Sequence, residues 1–316
     1  MGSEFDFIRA TRSRARTIGQ AVVGIGDDCA VWRPAPGHDQ LVSTDLLLEG
    51  VHFDLAYCPL PDLGHKAMAV NLSDIAAMGG VPRYAVVGLA SEGDPEGFRP
   101  LMDGLLAEAD AHGVQLAGGD TCRSAGGLVL SVTIFGELPE GSAVTRSGAR
   151  PGDGIYVTGT LGDSAAGLVL LQAGESPSHP LAVRHLRPTA RLAEGRALRE
   201  AGIPSAMIDV SDGLLADLGH ILEESGVGAE VALERVPLSE ALRARGGGGA
   251  EMALSGGEDY ELVFTVPAPE ASRLAALNAA GPVTRIGTIR PAPGLILTRD
   301  GHEVPLPKAG FDHFAP

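Results

Sequence analysis

Short runs rich in β-branched residues alternate with segments of helical spacing along this 316-residue chain. The alternation constrains the fold more than any other feature, because periods of 2.0 and 3.6 cannot both be buried by one kind of layer. In the first half, "LVSTDL", "RYAVVGLA" and "GLVLSVTIFGEL" read as strands. Two helices lie among them. "DLGHKAMAVNLSDIAAMGG" carries Leu63, Ala67, Val70 and Ile75 on one stripe and stops at Gly79-Gly80. "FRPLMDGLLAEADAHG" spaces Phe98, Leu101, Met102, Leu105, Leu106 and Ala109 helically up to Gly113. In the second half, "GIYVTG", "AMIDVS" and "DYELVFTV" read as strands. "GDSAAGLVLLQAG", "TARLAEGRALREAG" and "DGLLADLGHILEESG" read as helices, and the four glycines at 246–249 as a flexible loop. Between the halves, "PEGSAVTRSGARPGDG" is poor in large apolar residues and rich in Gly, Ser and Pro. The expectation is an α/β (α+β) protein of two domains, 1–137 and 152–316, joined over 138–151.

Charge excludes some partners. A net charge of −16, with Lys66 and Lys308 the only lysines, argues against a nucleic-acid or anionic-membrane surface. No stretch approaches the roughly 20 apolar residues of a membrane span, and the first residues lack the apolar run of a signal peptide, so a cytoplasmic protein is expected. Cys29, Cys58 and Cys122 are far apart with no CxxC spacing, and read as small core or near-core residues. Trp32 reads as packing.

Acidic residues recur where apolar runs end. "GIGDDCAV" sets Asp27 and Asp28 beside glycines, which suits a turn or a hard-cation site. "STDLLLEGVHF" makes Ser43, Thr44 and Asp45 consecutive oxygen donors, with His52 nearby as a polar contact. Asp74 interrupts an apolar helix three residues after Asn71. "GGDT" gives Gly119 and Asp120, where glycine lets backbone approach a phosphate. In "IDVSDG", alternation puts Asp209 and Ser211 on one side, and Asp212 falls where a helix N-cap belongs. "SGGEDYELVF" adds Glu258 and Asp259. Each stretch alone has an ordinary structural explanation, but carboxylates are rarely buried unless paired or metal-bound. Together they point to a pocket that collects several divalent cations, which suits a highly anionic ligand such as a nucleoside triphosphate.

The phosphate chemistry is bounded by what is missing. Neither lysine follows a glycine, so there is no P-loop, and protein-kinase, G-x-S-x-G and H-E-x-x-H signatures are absent. Arg146, in the polar junction, is the candidate phosphate-binding cation. The ordered set "GIGDDCAV", "STDLLLEGVHFD", "KAMAVNLSDIAAMG", "GGDT", "VTRSGARPGDGIYVTGTLGDSAAGL", "HLRP", "IDVSDGLLADLGHI", "LSGGEDYELVFTV" and "FDHF" resembles the thiamine-monophosphate kinases over nearly the whole chain. The resemblance implies ATP-dependent phosphorylation of thiamine monophosphate to thiamine diphosphate. It also implies a homodimer whose interface is the mixed sheet of the N-terminal α/β domain, followed by a C-terminal α+β domain. It implies several Mg²⁺ ions on Asp28, Ser43, Thr44, Asp45, Asp74, Asp120, Asp209 and Asp212. ATP contacts would fall on Gly119, Asp120, Arg146 and Ser211, and thiamine-phosphate contacts on His52, Glu258 and Phe311. No general base or covalent nucleophile is expected. Two rivals are weighed beside this: another ATP-dependent synthetase of the same superfamily, and a non-catalytic nucleotide- or Mg²⁺-binding regulator.

Overall fold

The computed structural model describes residues 4–15, 21–23, 25, 29–246, 248–277 and 281–307. The chain divides into two compact units, residues 1–75 with 80–141, and residues 76–79 with 142–316. No helix among the described residues is long and apolar enough to cross a membrane.

The first unit runs α1 (Glu4–Arg14), β1 (Ala21–Val23), β2 (Val31–Trp32), β3 (His38–Leu48), α2 (Leu60–Ala77), β4 (Val81–Ser91), α3 (Arg99–Ala111), β5 (Gln115–Arg123), β6 (Val129–Pro139), with the last residues of α2 counted in the second unit. Its main sheet has the order β3-β6-β4-β5 and is mixed: β4 and β5 are parallel, the other pairs antiparallel. Alternation along β3 buries Leu41 and Leu47, while Val42 and Leu46 stand 65% and 57% exposed on the opposite face. Leu63, Met68, Leu72 and Ile75 of α2 and Leu101 and Leu105 of α3 are completely buried or nearly so. These helices touch backbone to backbone. A Cβ on Gly64 would lie 1.9 Å from the Leu101 carbonyl oxygen, and one on Gly104 2.0 Å from that of Pro61. Helix α3 begins one residue later than its apolar spacing suggests. Asp94 accepts from the Glu96 N–H and caps a 3-10 turn, Pro95–Phe98, which takes Phe98 out of the helix. Trp32 packs on Tyr84 and Phe135, with ring centroids 5.0 and 4.9 Å away. Only Cys58 is buried. Cys29 and Cys122 are exposed, contrary to the expected core positions, Cys122 because it lies near the uncovered end of edge strand β5.

The second unit comprises β7 (Gly154–Thr158), α4 (Asp163–Gln172), α5 (Pro180–Leu186), α6 (Leu192–Ala201), β8 (Ala206–Asp209), α7 (Leu214–Ser225), β9 (Gly228–Ala232), α8 (Glu240–Arg245), α9 (Gly249–Ser255), β10 (Leu262–Val266), α10 (Ala271–Ala276), β11 (Val283–Arg290), β12 (Gly294–Arg299) and β13 (His302–Val304). Its sheet, ordered β13-β12-β9-β11-β7-β10-β8, is antiparallel except where β12 meets β9. Alternate residues of β8 and β10 enter two cores. Ile208 and Val263 pack with Leu214, Leu218 and Ile221 of α7, whereas Met207, Leu262 and Phe264 pack with Leu198 of α6 and with Ala76 and Ala77. Burial on both faces explains why β10 lacks the polar alternation of a half-exposed strand, its one hydroxyl residue, Thr265, being buried with the rest.

Two readings of this half are corrected. Strand β10 starts at Leu262 rather than at Asp259, because Glu258 and Tyr260 adopt φ values of 64° and 52° that no strand accommodates. The glycine run is not all loop: Gly248 is the N-cap of α9 and Gly249 its first residue.

Candidate active site

In the first unit, Ser43, Thr44 and Asp45 lie inside β3 and not at its end. Their alternation separates them. Asp45 stands opposite Val132, which stands opposite Val87 and, through it, Gly119. Leu46 stands opposite Ser131, and the row continues through Gly88 to Asp120. Ser43 and Asp45 therefore share the covered face, while Thr44 and the exposed Asp120 share the open one. Thr44 Oγ1 lies 2.9 Å from Thr133 Oγ1 and donates to the Val132 carbonyl at 3.1 Å.

On the covered face the Ser43 hydroxyl donates to Asp74 Oδ2. Burial, and then the neighbouring Asp74 carboxylate, push the Asp45 carboxyl from 3.8 up to about 7. One turn before Asp74, Asn71 is completely buried. Its amide nitrogen donates to the Ala67 carbonyl at 3.0 Å, which leaves Asn71 Oδ1 buried with no hydrogen-bond partner. Two carboxylates in mutual repulsion and an orphaned oxygen are hard donors, the set that Mg²⁺ and its bound waters take. Gly119 has a structural requirement of its own, since a Cβ there would lie 2.2 Å from the Val87 carbonyl oxygen. His52 Nδ1 accepts from the Leu48 N–H at 3.0 Å, so the ring hydrogen sits on Nε2.

In the second unit, Asp209 ends β8, buried and paired with Leu262. Asp212 is not the helix cap. Gly213 is the N-cap residue of α7, and the N–H groups of Asp212 and Gly213 both donate to Asp217 Oδ2 at 3.0 Å. Asp217, which the sequence reading missed, is buried. Burial and then Asp209 and Asp212 push its carboxyl up to about 8, against the two backbone hydrogen bonds. Its only sequence signal is an acid in the first turn of a helix.

Glu258 joins this group through the backbone: its N–H donates to the Ser211 carbonyl at 2.7 Å, and the Tyr260 N–H to that of Val210 at 2.9 Å. Between them Asp259 is buried and accepts from the Gly162 and Ser164 N–H groups at the start of α4. Glu261, fully buried, accepts from Arg191 Nε at 2.6 Å, Arg184 at 3.0 Å and Thr158 at 2.7 Å. Arg146 is exposed in a loop held by Ser225 Oγ, which accepts from the Gly148 and Ala149 N–H groups. Asp28 and Phe311 lie outside the described residues, and among the described residues no three His, Cys, Asp or Glu side chains come close enough together to hold a metal.

Comparison with known proteins gives this geometry its context. Residues 26–138 match the family model described as AIR synthase related protein, N-terminal domain, and residues 150–300 match the corresponding C-terminal domain. The thiamine-monophosphate kinase of Salmonella typhimurium is 45% identical, over 98% of this chain and 96% of its own length. The crystal structure of thiamine-monophosphate kinase from Stenotrophomonas maltophilia is similar at a TM-score of 0.85 with 40% identity, covering 96% of this chain and 98% of that one. A structure described as AaThiL complexed with AMPPCP and TMP has a TM-score of 0.78 and 34% identity, covering 98% and 97%. The chain belongs to the thiamine-monophosphate kinases, within the AIR synthase-related proteins.

Proposed function

We propose that the chain carries out the reaction its family is named for by one direct in-line step, moving the γ-phosphoryl group of ATP onto thiamine monophosphate to give thiamine diphosphate. The observation that carries this reading is the Asp45–Asp74 pair, half-buried acids whose mutual repulsion a divalent cation would relieve. The relative complexed with AMPPCP and TMP supports the choice of the two substrates.

The candidate Mg²⁺ ligands are, in the first unit, Ser43, Asp45 and Asp74 on the covered face of the sheet and Thr44 and Asp120 on its open face, with Asp28 as a further candidate, and, in the second unit, Asp209 and Asp212. Bound there, the metal supplies charge neutralisation of phosphate oxygens. The remaining work falls to the chain itself. A phosphate monoester has a second pKa near about 6 and is largely dianionic at neutral pH, so the acceptor needs no general base. Arg146, exposed and mounted on a braced loop, contributes a cation for the triphosphate. Gly119 and Ser211 contribute backbone and hydroxyl contacts to ATP. His52 offers Nε2–H as a donor. The Glu258 carboxylate and the Phe311 ring suit the cationic thiazolium. The open face of the first sheet, apolar and exposed at Val42 and Leu46, is the homodimer interface in this reading.

Incubation with thiamine monophosphate and ATP carrying a chiral thiophosphoryl γ-group tests both the activity and the step. Formation of the diphosphate with inverted phosphorus configuration is expected; retention would indicate a phospho-enzyme and overturn the single displacement.

A further inference from the structure

Resting on the reading of Glu258 as a contact to thiamine monophosphate, a second residue can be added to substrate recognition. The left-handed backbone of Glu258, φ 64°, is costly for a non-glycine residue and is held by its hydrogen bond to Ser211. The preceding glycine makes that approach possible: a Cβ on Gly257 would lie 2.5 Å from the Ser211 carbonyl oxygen. These contacts fix the Glu258 backbone and leave its three side-chain torsions unset.

His185, near the end of α5, sets them. Its Nδ1 lies 3.2 Å from Glu258 Oε2, in a residue only 3% exposed. An ionised carboxylate can only accept, so a hydrogen bond in this contact requires the hydrogen on Nδ1, and the Ser164 hydroxyl oxygen then accepts a share of it. The same nitrogen lies 3.0 Å from Ser164 Oγ. Ser164 is itself anchored, since its N–H donates to Asp259 Oδ1 at 3.2 Å. We propose that His185 is a positioning residue for substrate recognition: its Nδ1–H aims the Glu258 carboxylate at the cationic portion of thiamine monophosphate, and Ser164 orients the ring. His185 does not exchange a proton in the reaction. It acts on how well the acceptor is held.

The test is steady-state kinetics of the full chain with each substrate varied, for wild type, His185→Asn, His185→Gln, His185→Leu and Glu258→Gln. The Asn amide nitrogen reaches the place of Nδ1, whereas the Gln amide reaches that of Nε2. His185→Leu and His185→Gln are expected to raise KM for thiamine monophosphate about tenfold or more, the worth of one charged hydrogen bond. KM for ATP should stay within about twofold, and His185→Asn should retain most of the wild-type KM. Should His185→Leu fail to fold, as its thermal midpoint would reveal, the Asn and Gln pair still decides. Equal KM values for Asn and Gln, or a change in kcat alone, would overturn the proposal. An unchanged KM in Glu258→Gln, with kinase activity intact in wild type, would instead remove the role of Glu258 on which the inference rests.

Discussion

Acids wholly or partly withdrawn from water in this chain differ in what answers their charge. Glu108 faces His65 at 3.0 Å and His112 at 3.1 Å; burial works to raise its pKa, yet the hydrogen bonds and charges of the two histidines hold it down to about 2. Asp45 and Asp217 face other carboxylates and sit at about 7 and about 8. In the proposed function the first class serves structure and the second the site. Because the folded pKa of Glu108 lies below its ordinary 4.5, its stabilisation is fully present above pH 4.5 and is lost as pH falls through about 2. Urea unfolding should therefore show stability declining over that window. Glu108→Gln should remove this part of the slope and cost about 1.5–3 kcal/mol at pH 7, the range for hydrogen bonds involving a charged partner. A variant that kept the wild-type slope would assign the acid sensitivity to other carboxylates. At this scale Ser43, Asp45 and Asp74 were legible as polar residues in apolar surroundings. Asp217 was not, because an acid in a first helical turn looks the same whether it caps in the core or faces water.

Elements carried by a sustained period were readable, and elements set by backbone geometry were not. α2, α3 and α7 present apolar stripes of more than two turns and appear where their spacing puts them. The helices α5, α8, α9 and α10 have only six or seven residues, too few for a period to show. The glycine-flanked acids misled in a consistent way. Gly118 and Gly119 look like a strand end, yet β5 continues through Arg123, since glycine there accommodates a close parallel neighbour and not a turn. The same requirement governs the contact of α2 with α3. Gly64→Ala should force these helices apart and destabilise the protein by about 3 kcal/mol, at the upper end of the overpacking range, in a denaturant titration. An unchanged midpoint would mean that the helices can separate at no cost.

For the molecule as a whole, the proposed function has a chain of net charge −16 bring two polyanions together, which calls for divalent cations beside its own arginines. The proposed association through the open sheet face makes a separate prediction. Leu46→Arg, at a position 57% exposed, should leave the fold intact and shift the molar mass by light scattering from dimer towards monomer; an unaltered mass would place the interface elsewhere. The central claim is that clustered carboxylates act by gathering Mg²⁺ around the phosphates. Its most direct test is the rate of ATP-dependent thiamine diphosphate formation across a Mg²⁺ titration for wild type, Asp45→Asn and Asp74→Asn. The account predicts that each variant loses at least about a hundredfold in rate and needs more Mg²⁺ to reach half of its own maximum. Variants that matched the wild-type rate at the same Mg²⁺ concentration would contradict it.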